Sequence, residues 1–523
     1  MNKMLLCCAL ALLAAGCTAT LEPGSQVAVN PLTYTDIPDP DIVRVGEDYY
    51  MVSTTMFYCP GAPIMHSRDL VHWRIVSYIY DVLEDDGIYN MRTGLAYGKG
   101  QWATTLRYHK GTWYALFVAN DQNKTYLYKT RNIEKGPWKR QVIEGYFMHD
   151  ASLLFDDDNR LWVAWGNGEI HLIELEPDGS GVKAGAREQV IIESPREGWM
   201  LRAEGSHLYH IGDYYYLLEI DWPRDGVRTA TCWRSHSLQG PYQSRVVLQG
   251  TLGGRQDGIA QGPLVDTPLG DWYAIQFQDH GAVGRIPTIQ RVSWEDGWPV
   301  MGQDGVPEEE VTVNLKADGE DYVWAPDEFD SKKLALVWQW NHKEPDGWSL
   351  TERPGWLKLQ AADCETGLQD ARGTLTQRTV GPRCVSEVLL DASAMKPGDQ
   401  AGICAFQSLS ARIGIEVHRS GARLVTLREK EQILSQMPLG DGDQVYLRIR
   451  YVFTPVDKGD VPDTAFFSWS ADGENWTHLN YALEMRFSLD YFTGYRTGLY
   501  CFNSFGSGEG GAAYFDWFHQ QPY

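Results

Sequence analysis

One short pattern recurs five times along this chain, and it decides what the chain can fold into. It is a tight turn followed at once by an aromatic-rich alternating run. The copies are VGEDYYMVS at Gly46, HKGTWYALF at Gly111, DDNRLWVAW at Asn159, IGDYYYLLE at Gly212 and PLGDWYAIQ at Gly270, spaced by 48 to 65 residues. Glycine and asparagine at these turns accept the left-handed backbone that a tight hairpin requires. The runs alternate with period two and carry no helical periodicity. Each unit has room for four strands, so five units predict a five-bladed β-propeller over residues 27–310. A second signal, HSRDLVHW, KTRNIEKGPW or RSHSLQGPY, follows several copies and suits the outer edge of a blade.

The residues before each turn align as well: DPDIVRVG from Asp39, WATTLRYHKG from Trp102, DASLLFDDDN from Asp150, EGSHLYHIG from Glu204 and QGPLVDTPLG from Gln261. These segments are the expected innermost strands, and their lead residues share one end of the central channel. The leads are Asp39, Trp102, Asp150, Glu204 and Gln261, so three carboxylates converge on one axis. Like charges gathered there work against stability, and a sequence selected only to fold has no reason to gather them. Asp41, Ser152 and Ser206 point the same way one layer deeper, and Asp41 reads as structural.

Three carboxylates suit glycosidic hydrolysis. One acid protonates the leaving oxygen, a second carboxylate activates water or attacks, and a third raises the pKa of the acid. Trp102 offers a stacking wall for a sugar ring. The five leads contain no His, Cys or Ser, which speaks against a nucleophilic triad or a metal hydrolase.

PDPDIVRVGEDYYMV, HDASLLFDDD, AEGSHLY and WEDGWPV, in this order from about Val27 to Met301, resemble glycoside hydrolase family 43. The resemblance implies a five-bladed propeller enzyme that removes arabinofuranose or xylose with inversion. It implies Asp39 as general base, Glu204 as general acid and Asp150 as the group that tunes and orients the acid. Arg285, in VGRIPTIQ, matches a family arginine near the site. Many relatives hold a central cation or water with a histidine in blade five. Ala260 and Gln261 stand there in this chain, so no metal is expected and no cofactor is required.

Beyond EEEVTVNLKADGEDYVW the pattern changes to long alternating strands, with Asp472-Gly473 as a hairpin turn. Residues 324–523 are expected to form a C-terminal β-sandwich of jelly-roll or concanavalin-like type. The sandwich of longer family members sends a loop over the active site. LDYFTGYRTG is the matching segment, with Phe492 or Tyr495 as the residue that closes the pocket, which implies exo action. APDEFD and YFDWF resemble segments that share a structural calcium, which makes Asp516 a candidate ligand.

The leading expectation is an exo-acting α-L-arabinofuranosidase on plant side chains, xyloglucan or arabinoxylan among them, with β-xylosidase as the alternative. A glycan-binding lipoprotein without catalysis is the rival from another class, and Asp39, Asp150 and Glu204 together speak against it. A retaining enzyme of the fructan type would place a nucleophile about 5–5.5 Å from the acid.

The first residues read MNKMLLCCALALLAAGCTAT. Lys3, a short apolar run and Ala-Ala-Gly-Cys17 form a lipoprotein-type signal peptide over residues 1–16. Cys17 would be lipidated, which places the protein in the periplasm, attached to membrane only through the lipid. Six cysteines lie beyond it: Cys59, Cys232, Cys364, Cys384, Cys404 and Cys501. They fit no zinc spacing and read as small buried hydrophobes, with a bridge among the last four allowed in an oxidising compartment. The net charge of −23 excludes nucleic acid as a partner.

Overall fold

The computed structural model describes residues 24–255, 257–363, 367–453, 462–505 and 510–523. The signal-peptide segment with Cys17, and Cys364, lie outside these residues.

The chain is all-β, a five-bladed propeller followed by a concanavalin-like sandwich. Blade one comprises strands Asp41–Val45, Asp48–Val52, Gly61–Ser67 and Arg74–Tyr80, hydrogen-bonded in sequence order. Blade two spans Thr105 to Ile143, blade three Ser152 to Glu193, blade four Trp199 to Gln249 and blade five Ile259 to Met301. The five turn residues join the first and second strands of their blades. Gly46, Gly111, Asn159, Gly212 and Gly270 all adopt positive φ, from 59° to 88°. This backbone is cheap for glycine and tolerable for asparagine.

The ring is fastened where its ends meet. Gln26–Val29 pairs antiparallel with Glu310–Val313. The Asn30 side chain donates to the Ile289 carbonyl and accepts from the Ile289 N–H, both at 2.8 Å, which ties the N-terminal segment to blade five. Arg44 of blade one pairs with Asp266 of blade five.

The second domain is two packed antiparallel sheets. One runs in the order Leu375–Arg378, Arg496–Asn503, Asp399–Phe406, Ala411–Val417, Arg423–Glu429, Gln432–Pro438. The other runs Leu357–Gln360, Ala512–Pro522, Arg383–Asp391, Gln444–Val452, Asp463–Ser470, Thr477–Met485. Ile403, Ile413, Leu447, Ile449 and Phe515 fill the space between them. The outer face of the first sheet is apolar too. Phe406, Tyr500 and Phe502 there join Phe57, Tyr89 and Phe117 of the propeller in one buried cluster, so the domains share a core.

Two expectations for the sandwich need correction. Cys384, Cys404 and Cys501 are free and buried. Cys404 pairs with Gly498 and Cys501 with Ala401, so the two cysteines are offset by three residues on adjacent strands and face opposite sides of the sheet. Cys384 belongs to the other sheet. Tyr495 does not face a pocket. It is 1% exposed in the sandwich core, and its hydroxyl donates to the Leu409 carbonyl at 2.6 Å. It immediately precedes the strand Arg496–Asn503, and that register turns its ring inward. Burial and the nearby carboxylates of Glu328 and Asp330 raise the Asp516 pKa despite Arg353. Among the described residues, Asp516 belongs to no group of three converging His, Cys, Asp or Glu side chains.

Candidate active site

At one mouth of the channel the innermost strands begin with a shared kink. Asp39, Asp150 and Gln261, the leads of blades one, three and five, have φ of 50°, 49° and 60°. In blade four the kink falls one residue later, at Gly205, with φ 69°. A left-handed residue with a side chain is uncommon and clusters at functional sites. Here the kink sits at the same mouth in four of the five blades.

Asp39 is buried, and both carboxylate oxygens are engaged. Arg285 Nη1 donates to Oδ1 at 2.6 Å, and Thr54 Oγ1 donates to Oδ2 at 2.7 Å. Arg285 is itself wedged between aromatic rings, with Phe277 and Phe492 each 4.6 Å from its guanidinium carbon. Glu204 Oε2 accepts from Asn167 Nδ2 and lies 3.4 Å from His149 Nε2. The other ring nitrogen of His149, Nδ1, lies 3.6 Å from Asp150 Oδ1.

The electrostatics follow from this crowding. Burial, together with the charges of Glu204 and Asp39, lifts the Asp150 pKa to about 7 against the pull of His149 and Arg285. Burial works to lower the His149 pKa, but Asp150, Glu204 and Asp39 outweigh it and hold the ring up at about 9. At neutral pH an imidazolium therefore bridges two of the three carboxyl groups. Ligating atoms of His149, Asp150 and Glu204 all lie within 4.8 Å of one another, which makes this the group among the described residues able to hold a metal ion.

The other expected residues divide. Trp102 sits at the mouth with its ring 5.7 Å from His149 and 5.9 Å from Phe492. The Gln261 side chain packs against Gly205, where an added Cβ would come within 2.8 Å of it. Phe492 reaches the mouth from the sandwich, on the loop between Met485 and Arg496. Tyr495, three residues further on, does not reach it.

Asp41 lies one layer down, in a different environment. It accepts from the Leu106 N–H at 2.8 Å and from Arg107 Nη1 at 2.7 Å, and it meets His207 Nδ1 at 3.3 Å. Arg107 Nη2 also donates to Ser152 Oγ. Burial works to raise the Asp41 pKa, but Arg107 and His207 hold it at about 2.

His149, Asn167 and Thr54 were not singled out from sequence. His149 directly precedes the blade-three lead in MHDASLL, so a search one residue to either side of each lead finds it. Asn167 ends the second strand of blade three and Thr54 lies two residues past the second strand of blade one, positions that the lead-residue alignment does not cover.

Residues 28–299 match the family model described as Glycosyl hydrolases family 43. Residues 326–521 match the model described as Beta xylosidase C-terminal Concanavalin A-like domain. A protein named Beta-xylosidase from Formosa agariphila is 27% identical, over 95% of this chain and 90% of that protein. A non-reducing end alpha-L-arabinofuranosidase from Bacteroides ovatus is 28% identical, over 76% of this chain and 78% of its own. The solved structure of a bifunctional GH43-CE protein from Bacteroides eggerthii superposes with a TM-score of 0.87 at 40% identity. It covers 95% of this chain, which spans 64% of that longer one.

Proposed function

Because the chain belongs to glycosyl hydrolase family 43, we propose that it is an exo-acting, inverting glycosidase that removes single terminal pentosyl residues from plant xylan-type polysaccharides. One observation carries this reading. Two carboxyl groups on separate blades, Asp39 and Glu204, share a mouth that Phe492 and Trp102 narrow from the side. A mouth narrowed in this way favours a chain end over a chain interior.

In this reading Asp39 is the general base. Arg285 and Thr54 hold its oxygens so that it accepts a proton from the attacking water. The water oxygen bonds to the anomeric carbon as the glycosidic C–O bond breaks. Glu204 gives its proton to the departing oxygen. Inversion needs base and acid about 6.5–9.5 Å apart, with room for the water. Asp150 and His149 surround the acid and set its electrostatics. Trp102 stacks on the sugar, and Gln261 and Arg285 bound the pocket.

Both are five-carbon sugars and present similar hydroxyls. The sequence alone placed α-L-arabinofuranosyl first. The Formosa agariphila protein named Beta-xylosidase matches 95% of the chain, against 76% for the named arabinofuranosidase. We therefore place β-D-xylosyl first and α-L-arabinofuranosyl second. Parallel assay of nitrophenyl β-D-xyloside and α-L-arabinofuranoside tests the order, and turnover of neither overturns the reading. The N-terminal segment supports a lipid anchor at Cys17 and a periplasmic location. Loss of palmitate labelling and of membrane association in Cys17→Ser tests that placement.

A further inference from the structure

The sandwich does more at the mouth than supply Phe492. The segment leading into Asp39 runs along it. The Tyr34 carbonyl accepts from the Gly381 N–H at 2.8 Å, and Thr35 Oγ1 donates to the Thr379 carbonyl at 2.7 Å. The Asp36 carbonyl accepts from Arg378 Nε at 2.9 Å. The Asp36 side chain, on a residue 4% exposed, then joins the two domains. Oδ1 accepts from the Arg285 N–H at 2.8 Å, and Oδ2 accepts from the Gly494 N–H at 2.9 Å.

Those two N–H groups belong to the parts of the mouth that must be in register. Arg285 clamps Asp39 through its side chain. Gly494 lies two residues from Phe492, whose ring covers the Arg285 guanidinium. The fit around the carboxylate is glycine-dependent on both sides. A Cβ on Gly284, at φ 105°, would lie 2.2 Å from Asp36 Oδ1, and one on Gly494 would lie 2.1 Å from the Val283 carbonyl oxygen. The loop is seated from its other end by Tyr491 stacked on Tyr97 at 4.0 Å.

We propose that Asp36 is a positioning residue: its carboxylate clasps the Phe492 loop of the sandwich to the Arg285 segment of blade five, so that the pocket wall and the base are set by one group. It touches no substrate and acts through Phe492 and Arg285. Losing the clasp loosens the wall and weakens sugar binding. The Arg285 side-chain bond to Asp39 remains, so the chemical step changes less.

The inference rests on the glycosidase reading, and a double-mutant cycle on whichever nitrophenyl pentoside the wild type hydrolyses tests it. Asp36→Ala should raise KM about 10-fold with kcat within about 3-fold, the signature of lost uniform binding. Phe492→Ala should raise KM by a similar factor. The double variant should be no worse than Phe492→Ala alone, because the two changes remove one interaction. Gly494→Ala reaches the same clasp from the sandwich side and should reproduce the KM effect, which covers the outcome that Asp36→Ala does not fold. Asp36→Asn should fall between wild type and alanine, since one oxygen acceptor remains. KM within about 2-fold of wild type in both Asp36→Ala and Gly494→Ala would overturn the proposal, as would factors that multiply in the double variant. A wild type that hydrolyses neither pentoside overturns the glycosidase reading instead.

Discussion

Two layers of the same channel hold buried charge, and they differ in how that charge is matched. In the lower layer Asp41 meets Arg107, His207 and a backbone N–H, and its pKa sits at about 2. In the upper layer three carboxyl groups share one imidazole and one guanidinium, and the pKa values of Asp150 and His149 are displaced to about 7 and about 9. The same strands build both layers, two residues apart. A buried charge with enough partners is a fixed part of the scaffold. A buried charge short of partners keeps a proton near the pH at which it can be exchanged. Residue type does not separate the two, because aspartate leads in one layer and supports in the other.

Substitutions at the two layers should therefore fail in different ways. Upper-layer losses should be the largest. Glu204→Gln and Asp39→Asn should each lower kcat on xylo-oligosaccharides by roughly 10³-fold. Melting temperature should change little in Glu204→Gln, whereas Asp39→Asn also takes a charged partner from the buried Arg285 and should lose stability as well. If instead either variant unfolds and keeps its turnover per folded molecule, the contrast is broken. Asp41→Asn should show the reverse. It leaves Arg107 buried with half its match, and breaking such a pair costs about 3–5 kcal/mol in denaturant unfolding. Its kcat per folded molecule should stay within a few-fold.

The pH dependence of stability sharpens the contrast further. His149 has its folded pKa above the unfolded value, so its contribution is full below about pH 6.5 and is lost as pH rises toward about 9. Asp150 is raised as well, so its contribution is lost between about pH 4 and about 7. Asp41 is depressed, so its contribution is present above about pH 4 and is lost as pH falls toward about 2. Unfolding measured from pH 6.5 to 9 should show a decline that His149→Gln flattens by on the order of 2 kcal/mol. An unchanged slope would separate His149 from the carboxylates.

The smallest effect is expected at the tyrosine that sequence placed in the pocket. Tyr495→Phe removes one buried hydrogen bond to the Leu409 carbonyl and should lower stability by about 1 kcal/mol without changing KM. A raised KM would return Tyr495 to the mouth.

The propeller was legible because its signals are local and repeated. A turn needing positive φ leaves glycine or asparagine at a fixed place, and five copies give the alignment that brings Asp39, Trp102, Asp150, Glu204 and Gln261 together. What lay outside the repeat was harder to read. His149 borders a lead position, and the lead-residue alignment does not reach it. Phe492 and Tyr495 are three residues apart, and which one faces the sugar depends on where the following strand begins. Cys404 and Cys501 share a sheet, but strand register puts them on opposite faces. Asp36 and Gly494 stand 458 residues apart, and no sequence pattern announces a contact between a side chain and a distant backbone N–H.

The most direct test of the account is the anomer first released from a β-D-xyloside, followed by proton NMR before mutarotation. Attack by water activated at Asp39, on the face opposite the departing oxygen protonated by Glu204, predicts α-xylose as the first product. Release of β-xylose would mean retention and would remove Asp39 as the base.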